Sequence, residues 1–235
     1  MFKKLLKILG VLLLLILIAF GILYVIYNEK LPEGKSGLEA DALARKMLTS
    51  LNYEQYKKTR FLEWSYQGGA NQYKWDKKNG TVEVKWDEYR VNIDLIAPES
   101  SLAYKNEQRL NENESKDVIE KAIDYFNNDS FWLVAPYKVF DKGTTRNVVD
   151  LEDGLKGLLV TFSSGGTTPG DSYLWILQPS GFPKSFKMWV KIIPIGGIAA
   201  TWDDWLVTES GAFLPKSHEL GPFTLSMGDV RGYNP

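Results

Sequence analysis

Alternation of apolar and polar positions dominates the second half of the chain. Leu158, Val160 and Phe162 alternate with Leu159, Thr161 and Ser163. Beyond the glycine-rich turn at residues 165–170, Tyr173, Trp175 and Leu177 alternate with Leu174, Ile176 and Gln178. Beyond residues 179–183, Phe186, Met188, Val190 and Ile192 alternate with Lys187, Trp189, Lys191 and Ile193. Strand side chains point to opposite faces with period two, so residues 157–193 are predicted to form a three-strand meander with one apolar and one mixed face.

The same period governs residues 59–98. Leu62, Trp64 and Tyr66 form one run, Tyr73 and Trp75 a second, and Val82, Val84 and Trp86 a third. Tyr89, Val91, Ile93 and Leu95 form a fourth run, closed by Pro98. Gly68-Gly69-Ala70-Asn71 reads as a turn, and Lys77-Lys78-Asn79-Gly80 as a hairpin turn because Asn-Gly supplies positive φ. Such connections are too short for crossover helices, so the order is antiparallel and up-and-down. After residues 196–197 three more strands are expected, at 198–209, 211–219 and 223–228.

Two segments have helical spacing instead. Ala40, Leu43, Ala44, Met47, Leu48 and Leu51 share one face of a helix over 38–51, and residues 53–58 add a further turn. Val118, Ile119, Ala122, Ile123 and Phe126 share a face of a helix over 115–127, with 129–136 expected to break it. At the N-terminus, Lys3, Lys4 and Lys7 precede an uncharged run at residues 8–27, about 30 Å as a helix and so the thickness of a bilayer core. A cleaved signal peptide would have a shorter apolar core and a small-residue cleavage site. The preceding lysines favour a cytoplasmic N-terminus. The polar stretch after it, with Pro32, Gly34 and Gly37, reads as a linker.

The expected architecture is therefore mainly β (α+β). A curved antiparallel sheet, or half-barrel, is covered by two helices and preceded by an N-terminal transmembrane helix. Residues 1–28 are the anchor, 29–37 the linker and 38–235 the β-domain.

Composition narrows the chemistry. With 44% hydrophobic and 24% charged residues, the chain is not of the disordered type. A formal net charge of −1 argues against nucleic acid as partner. The absence of cysteine removes disulfides, thiolate chemistry and a lipidated cysteine. His218 is the only histidine. It adjoins Ser217 and Glu219, but no Gly-x-Ser-x-Gly elbow exists, and a packed strand histidine is the plainer reading. Asp203-Asp204, between Trp202 and Trp205, would point to opposite faces of a strand. A hairpin turn with solvated acids is expected there rather than a metal or carboxylate pair. The glycine-rich run at 165–170 leads into a strand, not the helix that a phosphate cradle needs. Neither a metal site nor a cofactor is expected.

Asp129-Ser130-Phe131-Trp132-Leu133-Val134-Ala135-Pro136-Tyr137-Lys138, Thr168-Pro169-Gly170-Asp171-Ser172-Tyr173 and Trp202-Asp203-Asp204-Trp205 resemble uncharacterised envelope proteins of Bacteroidetes-type bacteria. The order of elements over about residues 38–231 looks like the LolA/LolB-like lipoprotein-carrier fold of the Gram-negative periplasm. That resemblance implies an incomplete barrel with helices plugging its mouth and lipid acyl chains bound between. The chain departs from the carriers in lacking a lipidated cysteine and in being tethered, and a tethered protein cannot ferry cargo alone.

Trp64, Tyr66, Trp75, Val84, Trp86, Phe162, Trp175 and Met188 are the candidates to line such a cavity; an ordinary filled core explains them equally well. The expected function is a membrane-anchored, non-catalytic periplasmic domain binding an apolar ligand, either lipid or lipoprotein acyl chains. An interaction module for an envelope protein partner is the alternative, and an envelope hydrolase a third.

Overall fold

The computed structural model describes residues 2–152, 154–164 and 168–235. The turn expected at 165–170 thus falls partly outside the described residues. The chain opens with an apolar helix, α1 (Phe2–Tyr27). Within it, Lys4–Tyr27 has a mean hydropathy of 3.1 and is long and apolar enough to cross a membrane. β1 (Lys35–Ser36), α2 (Leu38–Ser50) and α3 (Tyr53–Lys58) follow. An up-and-down run comes next: β2 (Phe61–Tyr66), β3 (Asn71–Asp76), β4 (Thr81–Trp86), β5 (Tyr89–Asp94), β6 (Leu102–Lys105) and β7 (Gln108–Arg109).

The long helix α4 (Glu112–Val134) separates this run from β8 (Thr144–Asp150), β9 (Lys156–Phe162), β10 (Asp171–Leu177) and β11 (Pro183–Trp189). The chain ends with β12 (Ile198–Thr201), β13 (Asp204–Val207), β14 (Phe213–Leu220), β15 (Phe223–Ser226) and β16 (Arg231–Tyr233). All pairings are antiparallel and build three sheets, in the orders β1-β8-β9-β10-β11-β12, β13-β14-β15 and β16-β2-β3-β4-β5-β6-β7. None of them closes into a barrel.

The predicted apolar face of α2 is buried through Ala40, Ala44, Met47 and Leu48, while Leu38 at its start is exposed. The second helix is longer than the 115–127 read from its apolar residues. It starts earlier because Asn111 and Glu114 form a reciprocal capping box: Glu114 N–H donates to Asn111 Oδ1 at 3.1 Å, and Asn111 N–H to Glu114 Oε2 at 3.2 Å. It does not break at Asp129, because that side chain finds donors on β3 and leaves the helical backbone undisturbed. The helix gives way to a 3₁₀ turn at Ala135–Lys138, where Pro136 cannot supply the N–H an α-helix needs.

Three other expectations are corrected. The strand read over 198–209 is two strands, β12 and β13, divided where Trp202 turns fully inward and its N–H donates to Lys184 O at 2.7 Å. Asp203-Asp204 therefore lie at that break; the hairpin turn falls later, where Thr208 N–H meets Ala212 O at 2.9 Å. β11 stops at Trp189 rather than Ile193, because Val190–Ile193 closes a turn through Ile193 N–H to Val190 O at 3.1 Å. The expected mixed face of the meander carries a second apolar cluster of Val149, Leu159 and Leu174.

Residues 28–36 do not hang free as a linker. Glu29 N–H donates to Gly196 O at 3.0 Å, Gly196 N–H to Asn28 Oδ1 at 2.9 Å, and Trp189 Nε1–H to Glu29 O at 2.8 Å. Lys187 Nζ pairs with Glu29 at 2.7 Å. At the other end, Lys35 and Ser36 pair with Val148 and Asn147 on the edge of β8. The segment is thus a strap crossing from β11 to β8, and it ties the end of α1 to the loop between β11 and β12.

Gly34 permits this approach. A Cβ there would lie 2.7 Å from Asn147 Cβ and 2.9 Å from Val148 O, neither of which can swing away. Gly34→Ala is expected to cost about 1–3 kcal/mol in unfolding free energy and to make residues 28–36 the first site of limited proteolysis. Wild-type digestion kinetics for the variant would show that the strap is not held this way.

Candidate functional site

Register explains how residues far apart in sequence come to share a face. Across the seven-stranded sheet, Tyr66, Asn71, Trp86 and Tyr89 are successive cross-strand neighbours; so are Trp64, Tyr73, Val84, Val91 and Ala103, and then Leu62, Trp75, Val82 and Ile93. On the six-stranded sheet the rows are Leu158, Trp175, Phe186, Ala200 and Val160, Tyr173, Met188, Ile198. All eight residues singled out from the sequence belong to one continuous core. Trp64, Tyr66, Val84, Trp86, Trp175 and Met188 are buried in it, and Trp75 and Phe162 are half-buried against it.

What meets these rows is α4. Phe126 lies 6.2 Å from Trp64 and 5.3 Å from Trp75, and Tyr125 meets Trp86 edge-on at 5.6 Å. One and a half turns later, Phe131 lies 4.6 Å from Tyr173 and 5.5 Å from Phe162, and Trp132 lies 5.6 Å from Phe186. Such offset and edge-on ring pairs each add about 0.5–1.5 kcal/mol beyond the area they bury. Along α4, Val118, Ile119, Ile123 and Tyr125 are half-buried around the buried Ala122 and Phe126, and Phe131 and Trp132 nearer its C-terminus are half-buried as well.

Three polar side chains fix α4 in place, and the sequence marked none of them as a site. Asp129, 1% exposed, accepts Asn71 Nδ2–H at 2.9 Å, Tyr73 O–H at 2.5 Å and Asn128 Nδ2–H at 2.8 Å. Burial raises its carboxyl above the ordinary value, against the lowering effect of those donors. Tyr66, buried nearby, is pushed up to about 12 by burial and by the Asp129 charge. Tyr137 reaches Phe213 O at 2.5 Å and Leu51 O at 3.1 Å, and stacks on Tyr56 at 3.8 Å.

His218, fully buried in β14, has Nδ1 2.7 Å from Thr201 O and Nε2 2.8 Å from Trp132 O. Burial pulls its imidazole below the ordinary value, while two carbonyls facing both ring nitrogens favour the doubly protonated ring. With both nitrogens occupied by main-chain acceptors, neither is placed to take a proton from a nucleophile. Asp203 and Asp204 do not converge either: Asp204 pairs with Lys216 at 2.8 Å and accepts Ser217 Oγ–H at 2.6 Å. Spacing carried one signal for Asp129, which continues the buried stripe Ala122, Phe126, Leu133. Nothing local announces its partners on β3.

Five buried indole N–H groups, of Trp64, Trp75, Trp86, Trp175 and Trp202, have no hydrogen-bond acceptor among the described residues. Four of these residues are among the eight chosen from the sequence. Buried donors are ordinarily paired, and one left unmade costs about 1–3 kcal/mol.

The class defined by this fold is an antiparallel α+β domain with an aromatic interior, carried behind one apolar helix. No protein-family model matches the chain, and no curated protein or solved structure matches it.

Asp129 sets a pH dependence. Its folded-state carboxyl binds a proton more tightly than the unfolded one, which titrates near about 3.9. Its contribution to stability is therefore full below that value and is lost as pH rises through the raised folded value. Urea unfolding across this range should show the wild type losing stability relative to Asp129→Asn as pH increases. A difference that grows in the opposite direction would mean that the three donors outweigh burial.

Proposed function

We propose that this protein is a single-pass inner-membrane protein whose periplasmic domain binds an apolar ligand, a lipid or the acyl chains of a lipoprotein, between α4 and the aromatic rows of the sheets. It acts without catalysis. On this reading the sheets form the two sides of a half-barrel, α2 and α4 cover its open side, and the layout is that of the lipoprotein carriers that the sequence resembles. The lysines before the apolar run keep the N-terminus cytoplasmic.

The observation that carries the reading is the set of unpaired indole N–H groups. Trp64, Trp75 and Trp86 lie in the seven-stranded sheet, where Phe126 and Tyr125 of α4 cover them. A hydrocarbon chain that displaces the half-buried face of α4 keeps the rings dry, and its ester or amide carbonyl supplies the acceptor the indoles lack. The ligand then substitutes for Phe126 and Tyr125 instead of filling a preformed void. His218, engaged at both nitrogens, supports a binding role over hydrolysis.

All eight tryptophans lie beyond the apolar helix, the first being Trp64. Brominated acyl chains quench tryptophan only on contact, so the full chain in nanodiscs reports entry into the domain. A Trp189→Phe background removes the indole beside the strap. Adding a brominated fatty acid should produce a saturable loss of emission; Trp86→Phe should weaken the response by about 1 kcal/mol, roughly fivefold in Kd. Emission unchanged at saturation would refute the ligand site. The anchor is checked separately, because an integral span stays with the membrane pellet under alkaline carbonate. Release of the intact chain into the supernatant would remove the membrane assignment.

A further inference from the structure

A concavity lies at the edge of the core, where Lys77 stands over the ring of the buried Tyr56. The end of α3, the two residues after it, the hairpin between β3 and β4, and Asn234 and Pro235 line an open surface pocket of about 420 Å³. Five of its lining residues are basic: Lys57, Lys58, Arg60, Lys77 and Lys78. This is a local excess, since the whole chain carries a formal net charge of −1.

The nearby acids are already used. Glu54 pairs with Lys57 at 2.8 Å. Asp76 pairs with Arg60 at 2.8 Å and also accepts Lys78 N–H at 3.1 Å, Asn79 N–H at 3.2 Å and Asn79 Nδ2–H at 2.9 Å. That leaves Lys58, Lys77 and Lys78 without a carboxylate partner among the described residues. Lys77 is the most constrained. Its ammonium donates to Tyr56 O and stands 3.5 Å from the centroid of the Tyr56 ring, and burial without a counter-charge lowers it to about 8. An ammonium held against Tyr56 and beside other cations, with no carboxylate on it, gains from an anion bound in the adjoining pocket.

We infer that this pocket binds a phosphate group, on a small phosphate ester or on a lipid headgroup, with Lys58, Lys77 and Lys78 as its ligands. Phosphate, carrying between one and two negative charges at neutral pH, matches three uncompensated cations better than a carboxylate does. Arg60 is committed to Asp76 and serves to hold the hairpin. The pocket opens at the end of the domain opposite the strap. Thr59, on its wall, bonds Ser210 at 2.7 Å in the β13–β14 turn, whereas the strap meets the β11–β12 loop at the other end of the strands. The pocket therefore faces away from the bilayer that would hold α1, and a headgroup reaching it comes from elsewhere than the anchoring leaflet. The inference does not depend on the acyl-chain reading.

The test uses the full chain in phosphatidylcholine nanodiscs and isothermal titration with inorganic phosphate, with glycerol 3-phosphate, and with separate vesicles containing phosphatidate. Saturable binding of the soluble probes, weakened roughly tenfold by Lys58→Gln/Lys78→Gln, is expected. Binding of phosphatidate vesicles alone would assign the pocket to lipid headgroups. Lys116→Gln/Lys121→Gln on α4 removes equal charge elsewhere and should leave affinity unchanged. No saturable heat with any of the three probes overturns the proposal, and so does equal weakening by both double variants. Lys58 and Lys78 lie at the protein surface, so their substitution should leave the unfolding temperature near that of the wild type. Lys77→Met, read beside them, should abolish binding.

Discussion

One helix has to satisfy sheets that do not hydrogen-bond to each other. The seven-stranded and six-stranded sheets each carry an apolar face that cannot stay in water, and α4 is the surface both have in common. Phe126 serves one side and Phe131 and Trp132 the other. Because open sheets have no covalent or ladder closure to fix their separation, the thickness of this helix and its aromatic side chains sets it. α2 on β8 and β9, and Trp202 against Trp175 and Phe186, add further contacts to the same core. The domain should be stiffest where α4 is pinned.

The pinning is polar. Asp129 binds β3, and the carbonyl of Trp132 receives the ring of His218 from β14, so consecutive turns of the helix are fixed to different sheets. Burying a carboxyl and an imidazole is costly in itself, and removing either partner would leave the other unmade. Such groups act as register marks, because sliding the helix by one turn would orphan both. Among the described residues, the first turns of α4 make no comparable bond to a sheet, and Val118 and Ile119 there are half-buried. The unpaired indoles of Trp64, Trp75 and Trp86 lie in the sheet beneath Tyr125 and Phe126.

The strap gives the domain a defined orientation relative to α1. Hydrogen bonds from Asn28 and Glu29 to Gly196 and Trp189 begin directly after the helix ends, so little slack separates the two. A domain joined so closely to α1 presents one end of its strands to that helix and the opposite end away from it. The basic pocket of Lys58, Lys77 and Lys78 opens at the outward end. The two ends of the same domain thus differ in chemistry, with the apolar helix α1 at one and a cluster of basic side chains at the other.

Much of this was legible in the chain. Period-two alternation located β2 to β5 and β9 to β11, Asn79-Gly80 fixed a hairpin, and helical spacing marked the buried face of α2, because each signal comes from neighbours a few residues apart. The aromatic rows were also legible as a set: alternation assigns each residue to a face without knowing its partner. What sequence left open was long-range. Asp129 looked like a helix breaker until Asn71 and Tyr73, more than fifty residues away, supplied its donors. Residues 28–36 looked like a free linker because an edge strand of two residues has no period to read. The break at Trp202, the encirclement of His218 and the gathering of five basic side chains around one pocket each require strands brought together by the fold. Local composition determines which residues shun water; only the tertiary structure decides which of them meet, and which polar groups are left without a partner.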